Sequence, residues 1–76
     1  MKRYGDIDGD SGILAYDYGD DWVKVQFKGG RTYEYQASKI GPAHISTMKK
    51  LADRGDGLNA YIMNNSAVKN GWTSKS

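Results

Sequence analysis

The 76 residues include no cysteine and carry a formal net charge of +2, which bounds the chain to one small domain and removes disulfides and thiolate metal sites as staples. No apolar run approaches the roughly 18–20 residues of a membrane span, and the polar, acidic start offers no stretch that reads as a leader, so a reducing, cytoplasmic setting without a membrane partner is expected. The charge is uneven: residues 1–21 hold six acids against Lys2 and Arg3, and residues 22–76 hold nine bases against Glu34, Asp53 and Asp56, a balance suited to a polyanion or simply to solubility.

In chain order, residues 1–10 are Gly/Asp-rich without periodicity and are expected to form a flexible acidic arm. Ser11–Tyr18 reads as a first strand, and Gly19-Asp20-Asp21 supplies turn chemistry. A two-residue Gly19-Asp20 loop would pair Tyr16 with Val23 and Leu14 with Val25, placing Leu14 and Tyr16 on the core face. Trp22–Lys28 alternates, with Val23, Val25 and Phe27 on one side and Lys24, Gln26 and Lys28 on the other. Gly29-Gly30 is a hairpin signal, because glycine reaches positive φ without steric cost. Arg31–Gln36 continues the alternation through Tyr33 and Tyr35.

The hairpin has two readings. A two-residue loop would put Tyr33 and Tyr35 on the face opposite the valines. A three-residue Lys28-Gly29-Gly30 loop with a glycine bulge pairs Phe27 with Arg31 and brings both tyrosines beside the valines. The second is favoured, because it makes one face uniformly apolar, and each buried large apolar side chain is worth about 1.5–3 kcal/mol.

A helix follows, with Gly41 as N-cap, Pro42 at the first helical position, an apolar stripe through Ile45, Met48, Leu51 and Ala52, and Gly55 as the stop. A second helix is expected over Gly57–Asn64, with Leu58, Tyr61 and Ile62 on one side. Residues 66–76 read as a polar, frayed tail, in which Val68 and Trp72 are the side chains able to dock. The expected fold is therefore α+β: a three-stranded antiparallel β-meander followed by two helices packed on one face, with residues 11–65 as the folded domain.

Leu14-Ala15-Tyr16-Asp17, Val23-Lys24-Val25-Gln26-Phe27, Gly30 and Tyr33-Glu34-Tyr35, followed by Gly55-Asp56-Gly57-Leu58-Asn59 and Ile62, together resemble the KTSC family. This is a short domain with a central Tyr-x-Tyr motif, found in bacteria and phages and at the C-terminus of some lysyl-tRNA synthetases. The similarity spans roughly residues 11–64. It departs from the family at Gln36-Ala37-Ser38, where a Val-Pro pair is usual, at Asp53-Arg54-Gly55, where Ser-x-Gly is common, and at Gly57-Leu58, which lacks the usual aromatic. The resemblance implies the α+β domain, and RNA binding only by analogy with the synthetases.

Nothing in the sequence assembles a catalytic set, and the expectation is a non-enzymatic module that needs no cofactor. His44 is the single histidine. With no second ligand near it in sequence, neither a metal site nor a Ser-His pair is indicated, and it is expected to face solvent. Asp6, Asp8 and Asp10 match the first acids of a calcium loop. Ser11 stands where that loop requires glycine, and no helix precedes it, which argues against the cation. Arg54-Gly55-Asp56 spells a cell-adhesion tripeptide, but its position at a helix end is explained by capping, with Asp56 starting the next helix.

The candidate binding surface for RNA or other single-stranded nucleic acid is Trp22, Lys24, Lys28, Arg31 and Lys39: an aromatic beside cations, where bases stack and phosphates find charge. Contact with about three phosphates would give a slope of log K against log salt near −2. The plainer reading is that Trp22 covers the sheet edge and that Tyr33 and Tyr35 belong to the core. The competing function is a protein-interaction or accessory module without nucleic-acid affinity, whose apolar contacts would respond less to salt. Oligomeric state is not legible.

Overall fold

The computed structural model describes residues 1–5 and 12–75. The chain is α+β. Its sheet contains strands β1 (Lys2–Arg3), β2 (Ile13–Tyr18), β3 (Trp22–Phe27), β4 (Thr32–Gln36) and β5 (Ser74–Lys75), and its helices are α1 (Ala37–Ile40), α2 (Pro42–Arg54), α3 (Leu58–Asn64) and α4 (Ser66–Lys69). The strands lie in the order β1-β2-β3-β4-β5 and every neighbouring pair is antiparallel. The three expected strands form the centre, and a two-residue strand extends each side. No helix among the described residues is long and apolar enough to cross a membrane.

The bulged hairpin is present. Val23 pairs with Tyr35 and Val25 with Tyr33, the Phe27 N–H donates to Arg31 O at 2.8 Å, and the Gly30 N–H closes the turn on Phe27 O at 2.9 Å. Gly30 sits at φ 93°, where a Cβ is strained. The odd-numbered residues of β3 and β4 therefore share the inner face. Val23, Val25 and Tyr35 are buried there, and Phe27 and Tyr33 are partly buried beside them.

The β2–β3 register differs from the expected one. Tyr18 pairs with Val23 and Tyr16 with Val25, and the Gly19 N–H donates to Trp22 O at 3.1 Å. The turn is thus Asp20-Asp21, two residues out of register with a Gly19-Asp20 loop. A shift of two preserves side-chain parity, so Tyr16 still points inward. Leu14 does not. The register slips between Ile13 and Ala15, so Leu14 is the extra residue of a bulge. Ile13 takes the inward place opposite Phe27, and Leu14 is 41% exposed.

Two expectations at the ends are corrected. Residues 1–5, expected within a mobile arm, include a strand on the β2 edge, and Tyr4 is buried. Tyr4 packs edge-on to Tyr16, and its hydroxyl accepts from the first N–H of α3, that of Leu58, at 3.3 Å. The rest of that arm, with the calcium-loop acids Asp6, Asp8 and Asp10, and Ser11, expected to open the first strand, lie outside the described residues. Residues 66–75, expected to fray, instead form α4, which buries Val68, and β5, which pairs with β4. The sheet edges explain both: each offers unpaired N–H and C=O groups that a short segment satisfies.

Helix α2 follows its sequence signals. Ile45, Met48 and Ala52 are buried, Pro42 occupies its first turn, and Gly55 ends it at φ 72° with N–H bonds from Gly55 to Ala52 O and from Asp56 to Leu51 O, a Schellman closure. The extra turn α1 stops at Ile40, since Gly41 (φ 93°) precedes a proline that disfavours helical backbone before it. Helix α3 starts at Leu58 with Gly57, not Asp56, as its cap. Core side chains from the four helices (Ile40, Ile45, Met48, Ala52, Leu58, Ile62 and Val68) join those of the sheet in one cluster.

Candidate functional site

The sequence-derived surface is divided by the fold. Trp22 and Lys24 meet on the outer face, with the Lys24 ammonium 5.6 Å from the Trp22 ring centroid. The Trp22 indole lies over Gly19, where an added Cβ would come within 2.2 Å of Nε1. Lys24 also pairs with Glu34 at 3.8 Å, and the Gln36 amide donates to the other Glu34 oxygen at 2.6 Å. A carboxylate in the middle of this face opposes a polyanion. Lys28 is exposed in the hairpin turn, its backbone N–H donating to Gly12 O. Lys39 sits on α1 and donates to Trp72 O at 3.3 Å. Arg31, paired with Phe27, belongs to the opposite, inner face. The five residues therefore do not form one surface.

Arg31 instead lines a groove of about 500 Å³ between the β3–β4 hairpin and α3–α4. The sheet contributes Phe27, Tyr33 and Tyr35, the helices contribute Ile62, Met63 and Lys69, and Asn70 and Trp72 close it from the C-terminal segment. Phe27, Tyr33 and Trp72 form an edge-to-face chain, with centroids 5.6 Å apart at each step. Lys75, paired with Tyr33 through β5, holds its ammonium 5.6 Å from the Tyr33 ring centroid. No acidic residue lines the groove among the described residues. Burial pushes the Tyr35 phenol up to about 12, with the neighbouring Tyr33 adding to the effect, so it is neutral at physiological pH. The two tyrosines of the Tyr-x-Tyr pair thus divide their roles: Tyr35 is core at 2% exposure, and Tyr33 is half-buried in the groove wall.

Lys69, Asn70, Trp72 and Lys75 did not enter the sequence-derived site because they fall in the stretch read as a tail. The available signal was Trp72, a large aromatic in a polar segment. What brings it to Tyr33 is the zipping of that segment onto β4, where the Thr73 N–H donates to Glu34 O at 2.7 Å.

Other polar clusters serve the fold. The Tyr16 and Tyr18 hydroxyls donate to the two oxygens of Asp53 at 2.8 and 2.7 Å, fastening α2 to β2. Those two bonds, Tyr18 first, hold the Asp53 carboxyl below its ordinary range, with Lys2 adding to the effect. In return Tyr16, chiefly through burial and then through Asp53, is pushed up to about 12. His44, expected to face solvent, is half-buried because α3 returns along α2: its Nδ1 lies 2.5 Å from the Tyr61 hydroxyl. Arg54 and Asp56 pair with each other at 3.8 Å around a buried Gly55, an arrangement that closes the tripeptide on itself.

Comparison of the chain with family models, with curated proteins and with solved structures returns no match.

Proposed function

We propose that this protein is a small non-catalytic binding module whose ligand class is single-stranded nucleic acid, RNA foremost. The observation that carries the reading is the groove: four aromatic side chains, Arg31 and Lys69 on its walls, and no carboxylate among the described residues. Single-stranded recognition needs this combination, since bases stack on aromatic faces for about 1–3 kcal/mol each and phosphates seek cations. The excess of bases over acids in residues 22–76 favours the encounter at long range. The site proposed here keeps Arg31 from the sequence-derived set and moves away from Trp22 and Lys24. The resemblance to the KTSC family, with a bacterial or phage origin and a cytoplasmic setting, belongs to the same proposal.

A protein partner is the second reading. It is favoured by Met63, which lines the groove at 49% exposure and would suit an apolar side chain. NMR titration with a short single-stranded RNA at two salt concentrations separates the two. Shifts at Arg31, Tyr33, Lys69 and Trp72 that weaken as salt rises are expected. An absence of shifts at low salt would leave the protein-interaction reading ahead.

A further inference from the structure

We infer that the groove accepts one base-plus-phosphate unit, a 5′-nucleotide either free or at the end of a strand, and does not track a strand across the domain. The inference rests on the nucleic-acid reading above and narrows it.

A groove of about 500 Å³ falls within the roughly 300–1,000 Å³ of small-ligand sites. Strand-tracking domains of similar scale engage about 4–16 nucleotides along a continuous basic path. Two of the surrounding cations already face carboxylates and do not extend such a path. Lys24 is paired with Glu34, and Arg54 is paired with Asp56. Arg31 and Lys69 line the groove, and the Lys75 ammonium lies near the ring of Tyr33 on its wall, which gathers positive charge at one place.

Tyr33 and Trp72 offer aromatic surface for a base, and Ile62 and Met63 offer an apolar floor. Asn70 carries donor and acceptor in one plane, the arrangement that reads a base edge. Arg31 presents a planar fork matched to phosphate oxygens, and Lys69 adds a point charge. These groups come from the sheet, α3, α4 and the C-terminal segment, so the site exists only when the C-terminal residues are docked.

The test is calorimetric and NMR titration of the full chain with AMP, UMP, the corresponding nucleosides and a 5′-phosphorylated single-stranded RNA tetramer. Units that do not engage add no avidity, so the tetramer is expected to bind within about tenfold of the mononucleotides. Its log K should fall against log salt with a slope near −0.7, the value for one phosphate contact. Nucleosides should bind about tenfold or more weaker, as should mononucleotides to Arg31→Gln, for the loss of a charged hydrogen bond. Lys24→Gln, on the outer face, should leave affinity unchanged, and both variants should keep the wild-type thermal midpoint. A tetramer more than about tenfold tighter than AMP and UMP, with a slope of about −2 or steeper, overturns the single-unit inference and leaves the nucleic-acid reading standing. Loss of binding in Lys24→Gln but not in Arg31→Gln overturns the groove as the site. If neither mononucleotide nor tetramer binds at low salt, both the inference and the reading beneath it fail.

Discussion

Gly71→Ala tests whether the C-terminal segment is built into the domain. Gly71 is buried, and a Cβ added there would lie 2.3 Å from the carbonyl oxygen of Ala67 and 2.3 Å from Cγ2 of Ile40. Carbon atoms in good contact sit about 3.5–4.0 Å apart, so both neighbours would have to yield by an ångström or more. The Ile40 methyl can turn aside. The Ala67 carbonyl cannot, because it is backbone in a helix anchored by fully buried Val68. Overpacking of this kind costs about 1–3 kcal/mol, and a backbone clash belongs at the upper end. Alanine also restricts the unfolded chain, which returns about 0.4–1 kcal/mol. The net loss is about 1–2.5 kcal/mol, which lowers the melting midpoint of a domain this size by roughly 5–20 °C. The clash is relieved by lifting residues 71–75 from β4, which also withdraws Trp72 from Tyr33 and opens the groove. The assay is thermal and urea unfolding against Gly29→Ala, where an added Cβ meets nothing within 4 Å and no positive φ is imposed. That control should stay within about 0.5 kcal/mol of wild type. A Gly71→Ala midpoint equal to that of the control would refute the reasoning.

The Asp53 clamp predicts an acid-dependent loss. Its folded carboxyl is held below the ordinary value, so its stabilisation is complete above the unfolded carboxylate pKa of about 3.9 and is lost as pH falls through the lower, folded value. Asp53→Asn should therefore melt below wild type at pH 6, and the gap should close on acidification; a gap independent of pH would count against the clamp. The alkaline side has the opposite sign. Tyr16 and Tyr35 are pushed up to about 12, so their contribution is complete below the ordinary phenol value of about 10 and fades as pH rises toward the folded values. Tyrosinate absorbance of the folded chain should lag behind that of the urea-unfolded chain over this window. Coincident curves, with the sheet still intact, would contradict the burial of these phenols.

Much of the central fold was legible because its signals are local. Alternation from Trp22 to Phe27 and from Thr32 to Gln36, with two glycines between, specifies parity and turn together, and burial of one face selects the three-residue loop over the two-residue one. Gly41-Pro42 and Gly55 mark the ends of α2 through backbone geometry that few other residues adopt. The Leu14 bulge and the Asp20-Asp21 turn were not legible, since a slip of two residues leaves every inward side chain inward and a bulge has no periodic trace.

Of the groove, sequence reasoning reached Arg31 as a candidate contact and Trp72 as a side chain able to dock, but not their juxtaposition. A two-residue strand such as Ser74–Lys75 is too short to show a period; it forms because β4 presents an open edge. That pairing brings Lys75 beside Tyr33 and holds the segment that carries Trp72, while α4, anchored by buried Val68, brings Lys69 to the same groove as Arg31. By itself, then, the sequence determined the inward parity of β3 and β4 and where α2 begins and ends, because those follow from neighbours along the chain. Tertiary structure decided which distant cations and rings share a wall, because that depends on how the edges of the sheet are completed.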